Sequence, residues 1–243
     1  MPNVSASPSD EPEPHVPGLA PFTVSELLRQ GKTIEEIKKM ASTIAAIDLS
    51  SLPADEDPAS NIGFKEWANV CEALGTGVMS LILRKGGIHE GRGGFEFKHK
   101  DFFLFPTWFH TQGEKLNWQA PDPERFVFPP EEGRTSVDID YFCTLEQVWR
   151  VTEWEKVASL APLHVWSESM VRERFVYDDE SCLNVALVRT YRLPERWSFP
   201  YAKSYGGCRS WVTLPKPSRM ELTPVLSAEA FQQTTDAVSG LLS

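Results

Sequence analysis

Apolar positions in this chain are sparse at first, then fall at helical spacing, then gather into short runs broken by Gly and Pro. Residues 1–21 are rich in Pro, Ser, Glu and Asp, with few apolar side chains to bury. Such a stretch cannot offset the entropy lost on ordering, so a disordered tail is expected. Thr23-Val-Ser-Glu26 and Thr33-Ile-Glu-Glu36 each place a Thr three residues before a Glu, the capping-box spacing that opens a helix. Gly31 lies between them, where a left-handed helix end favours glycine. Ile34, Ile37, Met40, Ala41, Ile44 and Ala45 then form one apolar stripe. Residues 22–47 therefore read as a helical hairpin, and 48–60 (DLSSLPADEDPAS) as a linker.

The main domain is expected over 61–243. Phe64, Trp67, Ala68, Cys71 and Leu74 share a helical face, and Gly75 stops it, so a helix is predicted over about 64–74. Val78–Leu83 and Phe102–Phe105 are apolar runs of strand length, the second closed by Pro106. Asp122–Arg134 is Pro-rich and reads as a loop. Val137–Tyr141 alternates cleanly, the sign of a strand with one wet face. Thr144-Leu-Glu-Gln147 fits the capping box and predicts a helix, followed by a short one over 153–160. Leu163–Trp166, Asn184–Leu193 and Val212–Leu214 read as strands, and Ser227 caps a closing helix to about residue 241. The pattern implies an α+β fold: a β-rich main domain, barrel or curved mixed sheet with edge helices, plus the N-terminal helical hairpin.

Composition sharpens this picture. The chain has 243 residues, long enough for one large domain, and its eight Trp and fourteen Phe imply a core of large rings, with some available to line a pocket. A net charge of −10 argues against unspecific grip on nucleic acid or on an anionic membrane. Basic residues outnumber acidic ones only over 61–120 (7 against 6) and 181–243 (7 against 4), so an anion-binding face is expected from those stretches. The four Cys are widely spaced with no CxxC, which excludes zinc-ribbon and redox-motif readings. No apolar run approaches ~18 residues and no secretory segment opens the chain, so we expect a cytoplasmic protein with reduced thiols and no membrane partner. A DNA-reading helix needs basic residues toward its N-terminal end, and the second hairpin helix begins Glu35-Glu36. The hairpin therefore reads as a unit that docks on the main domain or on a protein partner.

Five segments, in order, carry a family resemblance: GFKEWANVCEALG, SLILRKGGI, FFLFPTWFH, HVWSESMVRERF and YGGCRSWVTL. Over roughly Ile62–Leu214 the chain resembles the bacterial proteins grouped as domain-of-unknown-function family 1802. The resemblance implies no activity, cofactor or catalytic residue, so the chemistry rests on the residues themselves.

Arg84-Lys85-Gly86-Gly87 follows an expected strand, and glycines there let backbone amides turn toward an anion that Lys and Arg can pair. It lacks the spaced glycines and Ser/Thr of a P-loop and reads equally as a solvated turn. Glu96-Phe97-Lys98 would put acid and lysine on one strand face, as metal-dependent nucleases do, with Glu66 or Glu90 as the second acid; a solvated strand face is the plainer reading. His89, His99 and His110 match no metal-ligand spacing, and each reads as a packing or pocket residue. Cys208, between two glycines and Arg209, is either a nucleophile with His110 or His164 as base or a small residue in a tight turn. Arg172, Arg174 and Arg189 pair with the acidic run 178–180 or face a cleft, and Arg189 is notable as a charge inside an apolar strand.

The leading expectation is a nucleotide- or nucleic-acid-binding module with an aromatic and basic pocket. Lys85, Glu96, His99, His110, Arg189 and Arg209 are expected to converge on its concave face. The alternatives are a metal-dependent phosphodiesterase using Glu96 and Lys98, and a protein-interaction adaptor working through the hairpin. No specific cofactor is implied, and no metal site is assigned.

Overall fold

The structure, a computed structural model, describes residues 33, 60–85, 96–108, 112–121, 133–177, 180–218 and 220–243. The expected tail, hairpin (apart from Thr33) and linker (apart from Ser60) lie outside the described residues, as do His89 and His110. Every described residue from Ser60 to Leu242 falls in one compact unit, Ala45–Leu242.

Among the described residues seven strands form one sheet: β1 (Ile62–Trp67), β2 (Leu81–Arg84), β3 (Asp101–Thr107), β4 (Ser136–Val151), β5 (Leu183–Pro200), β6 (Trp211–Thr213) and β7 (Thr223–Pro224). The order is β2-β5-β4-β3-β1-β6, with β7 beside β5. The β1–β3 pair is parallel and every other pair antiparallel, so the fold is α+β with a mostly antiparallel mixed sheet. Its backbone is the β4–β5 ribbon, 16 and 18 residues long, whose register shifts twice, between Ile139 and Tyr141 and between Leu145 and Gln147. Such irregularities bend a strand and deepen its twist. The sheet curls enough that the Arg84 guanidinium, ending β2, donates to the Lys65 carbonyl of β1, four places away in the strand order. Phe103, Ile139, Phe142, Phe199 and Tyr205 anchor a buried cluster on the ribbon and its neighbours.

Four α-helices flank the sheet among the described residues: α1 (Ala68–Gly75), α2 (Trp154–Ser159), α3 (Glu168–Phe175) and α4 (Ala228–Leu242). The closing helix starts as its sequence implies, with the Ser227 hydroxyl accepting from the Ala230 amide at 3.1 Å. No described helix is long and apolar enough to cross a membrane.

Several elements differ from the sequence pattern, and the strand read from Val78 begins only at Leu81. The helix expected over 64–74 begins only at Ala68, because Ile62–Trp67 pairs with β3 on one side and β6 on the other. Apolar residues at 64, 67 and 68 satisfy a helical period, but two waiting strand edges satisfy the backbone better. Gly75 does end α1, and it has a second reason to be glycine: a Cβ there would lie 2.1 Å from the Tyr141 ring. Thr144–Gln147 extends β4 instead of starting a helix, since β5 offers it an antiparallel ladder to Val151 and Val148, Trp149 and Val151 favour strands. At 161–163 a 3-10 turn containing Pro162 replaces the start of an expected strand, leaving Trp166 a single bridge to Leu116. Pro106 sits inside β3 because β4 pairs only Asp101–Phe103, and its carbonyl accepts from Arg134 Nη1 at 3.1 Å.

Candidate functional site

The parallel pairing of β1 and β3 brings their C-terminal ends together, Glu66 opposite Pro106 and Trp67 opposite Thr107. The curl of the sheet adds the end of β2, and α3 packs alongside. Strand alternation puts Phe64 and Glu66 on the same inward face, both buried.

Glu66 is fully enclosed. One carboxylate oxygen accepts from the Trp67 amide at 2.8 Å. The other lies 3.2 Å from Arg84 Nη2, an ion pair without a hydrogen bond. The Arg84 guanidinium lies 4.7 Å over the Phe64 ring and keeps 21% of its side chain open. Thr107 donates to the Glu66 carbonyl at 2.9 Å. Arg174 of α3 donates to the Leu83 carbonyl at 3.1 Å and packs against two indoles, Trp67 at 5.2 Å and Trp166 at 5.5 Å. Burial pushes the Arg174 pKa down to about 10, with Glu66 opposing the shift and Arg84 adding to it.

His164 stands with its ring 5.6 Å from that of Trp166. Both ring nitrogens are closed to solvent and neither makes a hydrogen bond; nearby backbone of His164 and Trp166 gives only partial relief, short of bonding geometry. Burial, reinforced by the Arg174 charge, holds its pKa down at about 4, so the imidazole is neutral at physiological pH. The cluster thus contains two guanidinium groups, one carboxylate and a neutral imidazole. Glu66 Oε2, Arg84 Nε, both His164 nitrogens and Trp166 Nε1 are buried without a hydrogen bond. Each such atom costs on the order of 1–3 kcal/mol, so their gathering at one place is a feature that calls for a reason. Trp108, one residue beyond Thr107, is 44% exposed.

Of the six residues singled out from sequence, the five that are described have neighbours in several places. Lys85 is buried; its ammonium donates to the carbonyls of Phe175, at 3.2 Å, and Glu180, and lies 3.6 Å from Cys182 Sγ. It therefore caps the negative C-terminal end of α3. Glu96 and His99 meet at Trp211, whose indole donates to the Glu96 carbonyl at 3.4 Å and whose ring lies 5.0 Å from the His99 ring. Arg209 is exposed in the loop that leads into β6. Arg189 lies between the Tyr191 and Phe231 rings, at 5.9 and 5.4 Å, in a crevice with no room for a water. His110 is outside the described residues. Glu96 and Lys98 are exposed, and no group of three or more His, Cys, Asp or Glu placed to hold a metal occurs among the described residues.

Sequence reasoning touched Glu66, Arg174 and His164 separately and did not join them. The signal for joining them was weak: an acid in an inward strand position, and a Ser167 cap whose hydroxyl accepts from the Met170 amide at 3.4 Å and starts the helix bearing Arg174.

Residues 63–237 match the profile of the family described as Domain of unknown function (DUF1802). No curated protein matches the chain. A crystal structure of a mutant ZmASCH protein from Zymomonas mobilis is similar, with a TM-score of 0.35 and 12% identity over 73% of this chain and 96% of that one. The chain belongs to the DUF1802 family.

Proposed function

We propose that this member of the DUF1802 family binds a nucleotide, free or within a single strand, at the ends of β1, β2 and β3. The observation that supports the reading is the gathering of two guanidinium groups, Arg84 and Arg174, around the enclosed Glu66, with the Trp67 indole against Arg174. Like charges brought close together are costly, and an anionic ligand offsets that cost. A guanidinium matches the geometry of a phosphate, and the Arg84 guanidinium is held by the Lys65 carbonyl and the Glu66 carboxylate while its side chain keeps 21% exposure. Glu66 orients Arg84. Arg174 backs the half-buried Trp67 ring. A base stacked on an aromatic side chain gains roughly 1–3 kcal/mol, and Trp67 and Trp108 are the indoles at these strand ends.

Thermal unfolding of the full chain with and without nucleotides checks the reading, because a ligand bound only by the folded state raises the melting point. The expected result is a rise with nucleotides that is lost in Arg84→Met and reduced in Trp108→Ala. An equal rise in both variants, or no rise with any nucleotide or short single strand, overturns it.

A further inference from the structure

We propose that Lys85 and Cys182 form an oxidative cross-link site: a peroxide oxidises the Cys182 sulfur, and the Lys85 amine condenses with it to a sulfenamide. The basis is a thiol and an amine enclosed together at one end of the β2–β5 ladder. The register sets Arg84 opposite Asn184. Lys85 follows Arg84, and Cys182 stands two residues before Asn184, so both come to the same end of the pair. There Lys85 Nζ donates to Cys182 Sγ at 3.6 Å, across 97 positions of the chain.

Both groups are held in place. The Phe175 carbonyl, at the end of α3, accepts from the Cys182 amide at 3.1 Å and from Lys85 Nζ at 3.2 Å. One acceptor thus fixes the cysteine backbone and the lysine ammonium, and groups so oriented react as if highly concentrated. Cys182 is buried, but Glu180 and Ser181 just before it are exposed, and β5 begins only at Leu183. A small local opening therefore admits a solute the size of hydrogen peroxide. The other cysteines have different surroundings. Cys71 Sγ lies 3.8 Å from the Glu66 carbonyl, Cys143 Sγ lies 3.5 Å from the Thr190 hydroxyl, and Cys208 is exposed. Neither a carbonyl nor a hydroxyl replaces an amine in this condensation.

The chemistry balances in two steps. The Cys182 sulfur attacks one peroxide oxygen: an S–O bond forms, the O–O bond breaks, and the released hydroxide leaves as water with the thiol proton. Sulfur gives two electrons to the peroxide. The Lys85 nitrogen, having lost one ammonium proton to solvent, then attacks the sulfenic sulfur. An N–S bond forms, the S–O bond breaks, and hydroxide leaves as water with a second proton from nitrogen. The link ties the end of β2 to the chain entering β5 and removes the ammonium that caps the end of α3.

Peroxide treatment of the folded full chain carrying Cys208→Ser, which removes the exposed thiol, tests this by intact mass and by mass spectrometry of proteolytic peptides. The expected result is the loss of two hydrogens per chain, a peptide joining Lys85 to Cys182, and return to the starting mass with dithiothreitol. Lys85→Arg keeps the charge but removes the amine, so it should stop at a sulfenic acid that dimedone traps at Cys182. Cys182→Ser should form no link. A disulfide also loses two hydrogens, so the identity of the joined residues decides. Cys182 joined to another cysteine overturns the proposal. So does a Cys182 peptide that retains oxygen while Lys85 is present, or a Cys182 thiol that peroxide leaves unchanged. The peptide map of the chain with Lys85 intact decides even where Lys85→Arg fails to fold.

Discussion

Two buried glutamates six residues apart end in opposite circumstances. Glu72, on α1, accepts from the Tyr141 hydroxyl at 2.7 Å, and its backbone carbonyl accepts from Thr76 at 2.8 Å. Arg192 lies 5.4 Å from the centre of the Tyr141 ring and donates to the Gly75 carbonyl at 3.0 Å. No side-chain atom of Glu72, Tyr141 or Arg192 is buried without a partner. Glu66, on β1, is as deeply buried, yet around it five polar atoms of four residues lack a hydrogen bond. Burial of a carboxylate therefore does not distinguish a structural group from a candidate site. What differs is the surroundings: the Glu72 network is closed and ties α1 to β4, whereas the Glu66 cluster is left open in its bonding.

The comparison breaks most sharply at Arg84. Arg84→Met removes the partner of an enclosed carboxylate, which should cost roughly 3–5 kcal/mol in urea denaturation. Adding Glu66→Gln should recover part of that loss, because the charge left behind is what costs. A double variant no more stable than the single one would show that Arg84 acts through packing on Phe64 alone.

Next is the pH response. His164 has a folded pKa of about 4 against an ordinary 6.5, so the unfolded chain takes up a proton first as the solution is acidified. Its contribution to stability is complete above about 6.5 and is lost as pH falls toward 4. The loss should approach roughly 3 kcal/mol. His164→Phe should flatten this part of the stability profile between those limits, and an unchanged slope would contradict the buried, neutral imidazole.

The smallest effect belongs to the closed network. Tyr141→Phe leaves a Glu72 oxygen without its donor and should cost about 1–3 kcal/mol. It should leave nucleotide-dependent thermal shifts intact, since it does not touch the strand ends. A lost shift would join the two clusters into one functional unit.

Part of this structure was legible in the chain. Apolar runs at 102–105 and 184–193 became strands, and the run at 78–83 did so from Leu81, because runs of that length bury both faces of a sheet. The Ser227 cap and the Gly75 stop are local hydrogen-bond and steric matters, and they stand where the sequence puts them. The site was less legible. Lys85 looks like an anion-facing residue beside glycines, but the end of α3 takes its ammonium. Arg174 looks like one of several charges near an acidic run, but a helix from Ser167 turns it between two indoles.

The sequence by itself determined the α+β class, the abundance of rings for a core, the acid excess and two local helix ends, at Gly75 and Ser227, because each depends on composition or on neighbours within a few residues. Tertiary structure decided that residues 62–67 and 144–147 extend, because a hydrogen-bonding edge from a distant strand outweighs a helical period or a capping box. It also decided that Glu66, Arg84, His164 and Arg174 meet, because their meeting depends on the curl of the sheet and the packing of α3, and neither is written in the spacing of residues along one segment.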